Sequence, residues 1–401
     1  MEARRDQERD CTSMKSHRAN LGKLVQKALR GGKKVSHTAG QADVSGQKEP
    51  VRLRPDFISV TRGPGMHSNL SCGLDTAKGL AAAFDVPLIG VNHMQAHALT
   101  PRLMYALEHE QQGDGDEAVK PAFPFLTLLV SGGHTMLLQS DSLTSHSILA
   151  NTMDIAIGDC LDKCGRAILP DSIKATTSDT AYGKHLSRYA FAEPSTFSSY
   201  PIPVKRSDEI DKAVNEYGWR IQPALGETRK MAFSYAGFVS HVQRIVASKR
   251  TAIDEAERLA LARAALGTAF EHLCSRLVIA IDQIRSAGTH LTTLVVSGGV
   301  AANDFLRYFL RAMLDARGFP DVQLVFPPIS ATFSTHDGRG PVVLEPCTDN
   351  AAMIAWAGME MYTAGWYSDL GIHALPKWSL DAAVDGGIAG LTSKHADAAL
   401  R

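Results

Sequence analysis

The segment 91–103, VNHMQAHALTPRL, contains two histidines four residues apart, His93 and His97. If the segment is helical, both imidazoles lie on one helix face, close enough to share one metal ion. Histidine is also common at half-buried structural positions. The pair by itself therefore leaves a metal site and two ordinary helix residues as open alternatives.

A metal site at this pair needs a third ligand, and Asp349 in the sequence CTDN is the best donor. Zinc or ferrous iron accepts two neutral imidazoles plus one carboxylate and keeps positions open for substrate oxygens. Asp349 also stands where a helical pattern begins, so its carboxylate could instead cap that helix, an interaction worth about 1 kcal/mol. The spacing supports the two roles evenly.

Two glycine turns follow apolar strand patterns and could bind a phosphate. The segment 131–135, SGGHT, joins two apolar runs as the turn of a β-hairpin, and a second Ser-Gly-Gly turn comes shortly before Asn303. Such turns expose backbone N–H groups to a phosphate or carboxylate. One turn alone is usually only a tight connection. The two together, with Asn303, favour a nucleotide cleft.

Other polar residues are weaker candidates. Asp154, Asp159 and Asp162 lie in one short helical pattern, where Asp159 and Asp162 could share a face and hold ribose hydroxyls or a cation. A solvated helix face is the more common explanation. His134 could bind a phosphate or stabilise its turn. The sequence has neither a G-x-S-x-G elbow nor a Ser-His-Asp order that would indicate a hydrolase.

An α/β scaffold is predicted to position these residues. A strand, a glycine turn and a helix follow one another near 56–84 and again near 291–318, which is a weak internal repeat. A long helical pattern over 254–288 contains Gly267, where it could break into two helices. The polar stretches at about 171–230 and 329–342 are predicted to be surface loops.

Composition divides the chain into four parts. Residues 1–54 form a basic leader with one helix at 12–30 and a linker, and they carry thirteen Lys/Arg against six Asp/Glu. The other predicted parts are a first lobe at 55–120, a second lobe at 121–385 that includes Asp349, and a polar tail at 386–401. The acidic residues near the start do not fit a mitochondrial presequence.

Charge and cysteine content exclude several classes of protein. The net charge is zero, which argues against coating of nucleic acid by global attraction, so any such contact must be local. The six cysteines are scattered and indicate reduced thiols, not a disulfide framework or a zinc knuckle. The sequence has no purely apolar run of the length that spans a bilayer, so no membrane association is predicted.

The motifs NHMQAH, LLVSGGHT, DKCGRA, VVSGGVAAN and CTDNAAMIAWAG, in this order, strongly resemble the tRNA N6-adenosine threonylcarbamoyltransferase family, and its mitochondrial homodimeric branch in particular. The resemblance implies an actin-like two-lobe nucleotide-binding fold with duplicated mixed sheets flanked by helices. It implies transfer of a threonylcarbamoyl group from threonylcarbamoyl-AMP to N6 of adenosine 37 in tRNAs that read ANN codons. It also implies a homodimer in the mitochondrion.

The resemblance assigns roles to individual residues. His93, His97 and Asp349 become the ligands of one divalent metal ion, zinc or iron. The implied substrate-binding residues are Leu129, Val130, Ser131, Gly132, Gly133, Asp162, Gly183 and Asn303. No residue is implied as the general base.

One part of the family pattern has no counterpart in the sequence. Family members begin with a β-hairpin, whereas MEARRDQERDCTSMK stands in its place here, so the first lobe is expected to be incomplete. A non-catalytic remnant that binds nucleotide or a partner protein is therefore one alternative. An actin-like phosphotransferase or a metallo-glycoprotease is the other.

Overall fold

The apolar runs of the sequence form one pair of parallel strands and one larger sheet in a computed structural model of the chain. The structure describes residues 2–31, 54–112, 118–177, 181–249, 253–289, 291–333 and 341–394. It is an α/β fold with a mixed sheet and many helices, which confirms the predicted fold class at this level.

The N-terminal part is built on the parallel strand pair. Its elements are α1 (Glu2–Gly31), β1 (Ile58–Gly63), α2 (His67–Phe84), β2 (Leu88–Asn92) and α3 (His93–Gln112). β1 pairs with β2 from Ile58 opposite Leu88 onward, and every residue of β2 is buried. The leader helix predicted at 12–30 is present as part of α1, which begins ten residues earlier, at Glu2, and contacts α2. The predicted linker after it lies mostly outside the described residues.

The larger sheet has six strands in the order β6-β5-β4-β3-β7-β8. Their bounds are β3 (Phe125–Val130), β4 (Thr135–Ser140), β5 (His146–Thr152), β6 (Ala232–Phe233), β7 (Thr293–Ser297) and β8 (Gln323–Val325). The predicted glycine turn joins β3 to antiparallel β4, with Val130 opposite Thr135. β7 runs parallel to β3, with Ser297 opposite Leu129. Both glycine turns therefore leave the sheet side by side, at the carboxyl ends of neighbouring strands.

Helices fill the connections between these strands. They are α4 (Ile157–Ile168), α5 (Asp171–Thr176), α6 (Tyr182–Ala190), α7 (Arg206–Ile210), α8 (Ala236–Ser248), α9 (Glu255–Ser286) and α10 (Asp304–Ala316), with 3₁₀ turns at 194–199 and 299–302. The helical pattern predicted from Asp154 begins three residues later, at Ile157.

The C-terminal part of the chain packs against the parallel strand pair β1–β2. Its elements are β9 (Ala331–Phe333), β10 (Val342–Leu344), α11 (Ala351–Thr363), β11 (Trp366–Tyr367) and β12 (Ser393–Lys394), with a 3₁₀ turn at 389–391. α11 contacts α3 and β1, and the Leu375 N–H donates to the carbonyl of Arg62 in β1 at 2.8 Å. Ile388 is fully buried. Residues far apart in the sequence thereby come to share one core.

Alternation along β3 divides the core between the two faces of the sheet. Leu126 and Leu128 point into a cluster with α4, α8, α9 and α10, whereas Phe125 and Leu129 point into a cluster with α3 and α11. Successive side chains of a strand point to opposite faces, so a strand buried on both sides reads as a continuous apolar run. The helix that carries the histidine pair thus packs directly on the sheet that carries the glycine turns.

The predicted break at Gly267 is wrong, because α9 is one continuous helix from Glu255 to Ser286. A Cβ at position 267 would overlap the ring of Tyr200, whose hydroxyl donates to Glu271 at 2.9 Å. The glycine makes room for a neighbouring aromatic ring and does not end the helix.

A Gly267→Ala variant is expected to lose about 1–3 kcal/mol of unfolding free energy, because the added methyl group overpacks the contact with Tyr200. Urea denaturation measures this loss. Gly79→Ala is the matched control, since Gly79 lies inside α2 and an added Cβ there meets nothing within 4 Å. Equal stability of the two variants would contradict the packing role of Gly267.

The prediction of surface loops is wrong for much of 171–230. This stretch contains α5, α6 and α7, and its residues Leu186 and Ile221 are buried. The buried Arg276 of α9 anchors its last part by donating to three carbonyls, those of Leu225, Thr228 and Lys230. Buried polar groups must be hydrogen-bonded, so these bonds attach the segment to the core. In the described part of 329–342, Ile329 and Val342 are exposed, as predicted, but Ala331–Phe333 forms strand β9 and not a loop.

One helix of the described residues, α9, is long and apolar enough to cross a membrane by length and composition. The most apolar window of α9 is 94% buried inside the fold. This is the burial expected of a core helix.

Candidate metal centre and nucleotide cleft

The two histidines lie at the start of α3, directly after the buried strand β2. The Asn92 Oδ1 atom accepts from the N–H groups of Met94 and Gln95, at 2.9 and 3.4 Å, and so caps the helix. The cap fixes where α3 begins and thus where His93 and His97 point. Their ring centroids are 4.7 Å apart.

Asp349 meets both imidazoles from the other end of the sequence. Its Oδ1 atom lies 3.0 Å from His97 Nε2 and 3.4 Å from His93 Nε2. Within the described residues, these three offer ligand atoms that all lie within 4.8 Å of one another. Hydrogen bonds from His93 and His97 hold the pKa of the Asp349 carboxyl well below its usual range. The structure therefore brings together the three residues named as metal ligands.

The alternative role of Asp349 as a helix cap does not hold, because its neighbour has that role. The Asn350 Oδ1 atom accepts from the Met353 N–H at 3.0 Å at the start of α11. The Asp349 carboxylate contacts the histidines, and its side chain is 75% exposed. A donor set of two imidazole nitrogens and one accessible carboxylate oxygen fits a zinc or ferrous ion and leaves coordination positions open.

The first glycine turn is held from within and leaves its glycines accessible. The Ser131 Oγ atom accepts from the N–H groups of Gly133 and His134, at 3.3 and 3.0 Å. A Cβ at Gly132 or Gly133 would meet nothing within 4 Å. The start of α4 lies against the turn, where the Gly158 N–H donates to the Ser131 carbonyl at 3.0 Å. Turn and helix start together form a surface suited to an anion.

The second glycine turn lies beside the first. Gly298 has a φ of +100°, a conformation that favours glycine, and a Cβ there would overlap the Val130 carbonyl oxygen. Asn303 caps α10, since its Oδ1 atom accepts from the Leu306 N–H at 3.1 Å. The two glycine turns and the start of α10 thus lie along one edge of the six-stranded sheet.

Asp162 and Gly183 are also neighbours, because the Asp162 Oδ1 atom accepts from the Gly183 N–H at 2.7 Å. This bond joins α4 to the start of α6. Asp159 has a different partner, Lys163, at 2.7 Å. The shared ribose or cation site considered for Asp159 and Asp162 is therefore replaced by two separate pairs.

Asp154 has a structural role. Its carboxylate accepts from the Ser234 hydroxyl at 2.6 Å and from the Tyr235 N–H at 2.8 Å. Burial acts to raise the pKa of Asp154, but these hydrogen bonds outweigh it and the pKa is lowered. The carboxylate thereby joins the end of β5 to the segment before α8.

His134, in the first glycine turn, interacts electrostatically with the residues of the candidate metal centre, which the sequence did not predict. Burial first, and then the neighbouring His93 and His97, lower the pKa of His134. Its place in the SGGHT motif was the available signal. The sequence did not predict that His134 lies near His93 and His97, which belong to a helix more than thirty residues earlier.

Comparison with known proteins identifies the family to which the chain is similar. The family model TsaD, tRNA N6-adenosine threonylcarbamoyltransferase, matches residues 51–356. The chain is 32% identical over 377 residues to the mitochondrial tRNA N6-adenosine threonylcarbamoyltransferase of Schizosaccharomyces pombe, covering 91% of this chain and 73% of that protein. It is 34% identical over 328 residues to the tRNA N6-adenosine threonylcarbamoyltransferase of Dinoroseobacter shibae, covering 81% and 74%.

Similarity to solved structures is lower. The crystal structure of T. kodakarensis HypF superposes with a TM-score of 0.36 and 14% identity, over 66% of this chain and 37% of that one. The family model, in contrast, spans more than half of the chain, and the relatives above 30% identity align over most of it. The chain therefore belongs to the tRNA N6-adenosine threonylcarbamoyltransferase family.

Proposed function

We propose that the chain modifies tRNA by transferring a threonylcarbamoyl group from threonylcarbamoyl-AMP to N6 of adenosine 37 in tRNAs that read ANN codons. Family membership supports a transferase that acts on tRNA. The observation that carries the proposal for this chain is the meeting of His93, His97 and Asp349, whose ligand atoms all lie within 4.8 Å of one another.

One divalent ion, zinc or iron, is proposed to be held by His93, His97 and Asp349. When bound, such an ion supplies Lewis-acid polarisation of a carbonyl or phosphate oxygen. The chain's own contribution is geometric. Asn92 fixes the start of α3 and Asn350 fixes the start of α11, so the three donor side chains face each other before any ion arrives.

The two glycine turns are proposed to hold the adenylate. Leu129 and Val130 are buried in β3, so they place the turn and do not touch the ligand with their side chains. The Gly132 N–H is the proposed donor to the phosphate, because the N–H groups of Gly133 and Gly158 already donate to Ser131. The remaining proposed contacts are Ser131, Asp162, Gly183 and Asn303.

Positioning is proposed to supply much of the rate. An exocyclic adenine amine is a poor nucleophile, and holding it against the acyl carbon converts a bimolecular step into an effectively unimolecular one. The N–H groups of the glycine turns stay fixed while negative charge moves to the departing AMP, which costs no reorganisation. No side chain is assigned as the general base.

The wider architecture is part of the proposal. The strand, glycine turn and helix at β1–α2 and at β7–α10 are the proposed duplicated units of an actin-like two-lobe fold. The lobe limits at 55–120 and 121–385, between a leader at 1–54 and a tail at 386–401, remain a proposal, as does the homodimer. The mitochondrial S. pombe relative supports a mitochondrial location.

Incubation of the purified 401-residue chain with threonylcarbamoyl-AMP and unmodified tRNA tests the function. Mass spectrometry of the digested tRNA is expected to reveal threonylcarbamoyladenosine at position 37. Nucleotide binding without transfer and without bound metal would support a non-catalytic remnant instead. Phosphoryl transfer from ATP, or cleavage of a glycoprotein with no tRNA product, would also contradict the proposal.

A further inference from the structure

We propose that a cavity beside the metal centre receives the target adenine of the RNA as an unstacked base, an inference that rests on the function proposed above. The cavity has a volume of about 370 Å³ and lies between the end of β1, the start of α3, strands β4 and β5, and residues 378–380. Single-stranded RNA bases are commonly read in pockets of this kind, where they stack on apolar or aromatic side chains.

The position of the cavity suits the nucleophile. Met94, which lines it, follows His93 directly in α3, and His134 lines it from the glycine turn. Because Met94 and His134 both belong to its wall, the cavity lies next to the histidine helix α3 and to the first glycine turn. An adenine base in the cavity would direct its N6 edge towards an acyl group held between the metal centre and the glycine turns.

The lining favours a neutral, flat ring over an anion. Met94, Met136 and Trp378 form much of its wall, and none of the described lining residues is Lys, Arg, Asp or Glu. A phosphate or carboxylate would lose its hydration there without a fixed cation in return. Thioether and aromatic groups, in contrast, pack well against a purine.

The aromatic wall is held in place before any ligand binds. The Trp378 indole N–H donates to the Gly387 carbonyl at 3.2 Å, and the Arg62 guanidinium lies 5.5 Å from the centre of its ring. At the rim, the Asn151 Oδ1 atom accepts from the Thr152 N–H at 2.8 Å. This bond orients the exposed Asn151 amide, whose NH₂ group can donate to a ring nitrogen of adenine.

Two neighbouring residues of β5 allow a matched test. Ile148 lines the cavity, whereas the next residue, Leu149, packs on the opposite face of the sheet, and both are partly buried. Ile148→Phe is expected to fill the cavity and to lower kcat/KM for tRNA about tenfold or more, the effect of losing one base contact. The affinity for threonylcarbamoyl-AMP is expected to stay within about twofold of wild type. Leu149→Phe is expected to keep kcat/KM for tRNA near wild type.

A second measurement does not depend on catalysis. An anticodon stem-loop RNA with 2-aminopurine at the target position is expected to change its fluorescence on binding wild-type protein, as its base leaves the stack. This change should be lost in Ile148→Phe and reduced in Asn151→Ala, whose rim position makes misfolding a minor concern.

Three results would overturn the base-binding role. Ile148→Phe could modify tRNA as well as Leu149→Phe does, 2-aminopurine could respond equally in all variants, or Ile148→Phe could lose affinity for threonylcarbamoyl-AMP. The last result would assign the cavity to the acyl donor. Failure of the wild-type chain to modify any tRNA is a different outcome, because it would refute the proposed function itself.

Discussion

A His97→Ala variant is expected to lose its bound metal and to transfer threonylcarbamoyl at least about 100-fold more slowly than wild type, since Lewis-acid stabilisation of developing charge is worth several kcal/mol. His97 is the closer of the two imidazoles to Asp349, at 3.0 Å. Without it, one imidazole and one exposed carboxylate remain, too few ligands for a stable site. Elemental analysis of the purified protein and a single-turnover transfer assay measure the two losses.

His109→Ala is the matched control for this experiment. His109 lies in the last turn of the same helix α3 and stacks on Tyr105, away from the metal centre. The control is expected to keep its metal and its rate of transfer, and circular dichroism should indicate equal helix content in both variants. Metal content and rate unchanged in His97→Ala would remove the basis of the catalytic assignment.

Gly298→Val is expected to destabilise the fold by about 3 kcal/mol and to abolish transfer, because a side chain at this position meets two separate obstacles. The φ of +100° is strained for any residue with a Cβ, and the Cβ would overlap the Val130 carbonyl oxygen. Relief of the overlap requires the second glycine turn to move away from the first. The proposed adenylate cradle would then open, so both a denaturation midpoint and the transfer rate report the change.

Gly299 is the control for this experiment. It distinguishes backbone strain at Gly298 from the loss of flexibility that any glycine substitution causes. A Cβ at Gly299 meets nothing within 4 Å, so Gly299→Ala is expected to change the unfolding free energy by less than about 1 kcal/mol. If the two variants unfolded at the same urea concentration, the close approach of the two turns would not be a requirement of the fold.

Local rules were sufficient to predict most elements around the site. Apolar runs with glycine turns predict β3, β4 and β7, because strand periodicity and turn chemistry depend on near neighbours only. The face shared by His93 and His97 follows from the 3.6-residue helical repeat. Patterns of this range can be read in the sequence without knowledge of the packing.

Long-range packing decided the features that local rules left open or predicted wrongly. Gly267 reads as a helix break, yet the ring of Tyr200, which is remote in sequence, occupies the space beside it. The polar stretch at 171–230 reads as loops, yet the buried Arg276 pairs its carbonyls. Each case depends on a partner that sequence spacing does not identify.

The candidate metal centre depends on both local sequence patterns and long-range packing. The sequence by itself determined that two imidazoles share a helix face and that an aspartate stands before a later helix. Only the tertiary structure excluded the role of that aspartate as a helix cap and placed it beside the histidines, because Asn350 takes the cap and α11 packs on α3. The Asp349 carboxylate meets histidines some 250 residues away along the chain. Helix periodicity acts over one or two turns, whereas the distance between α3 and α11 is set by the burial of their apolar faces in a common core.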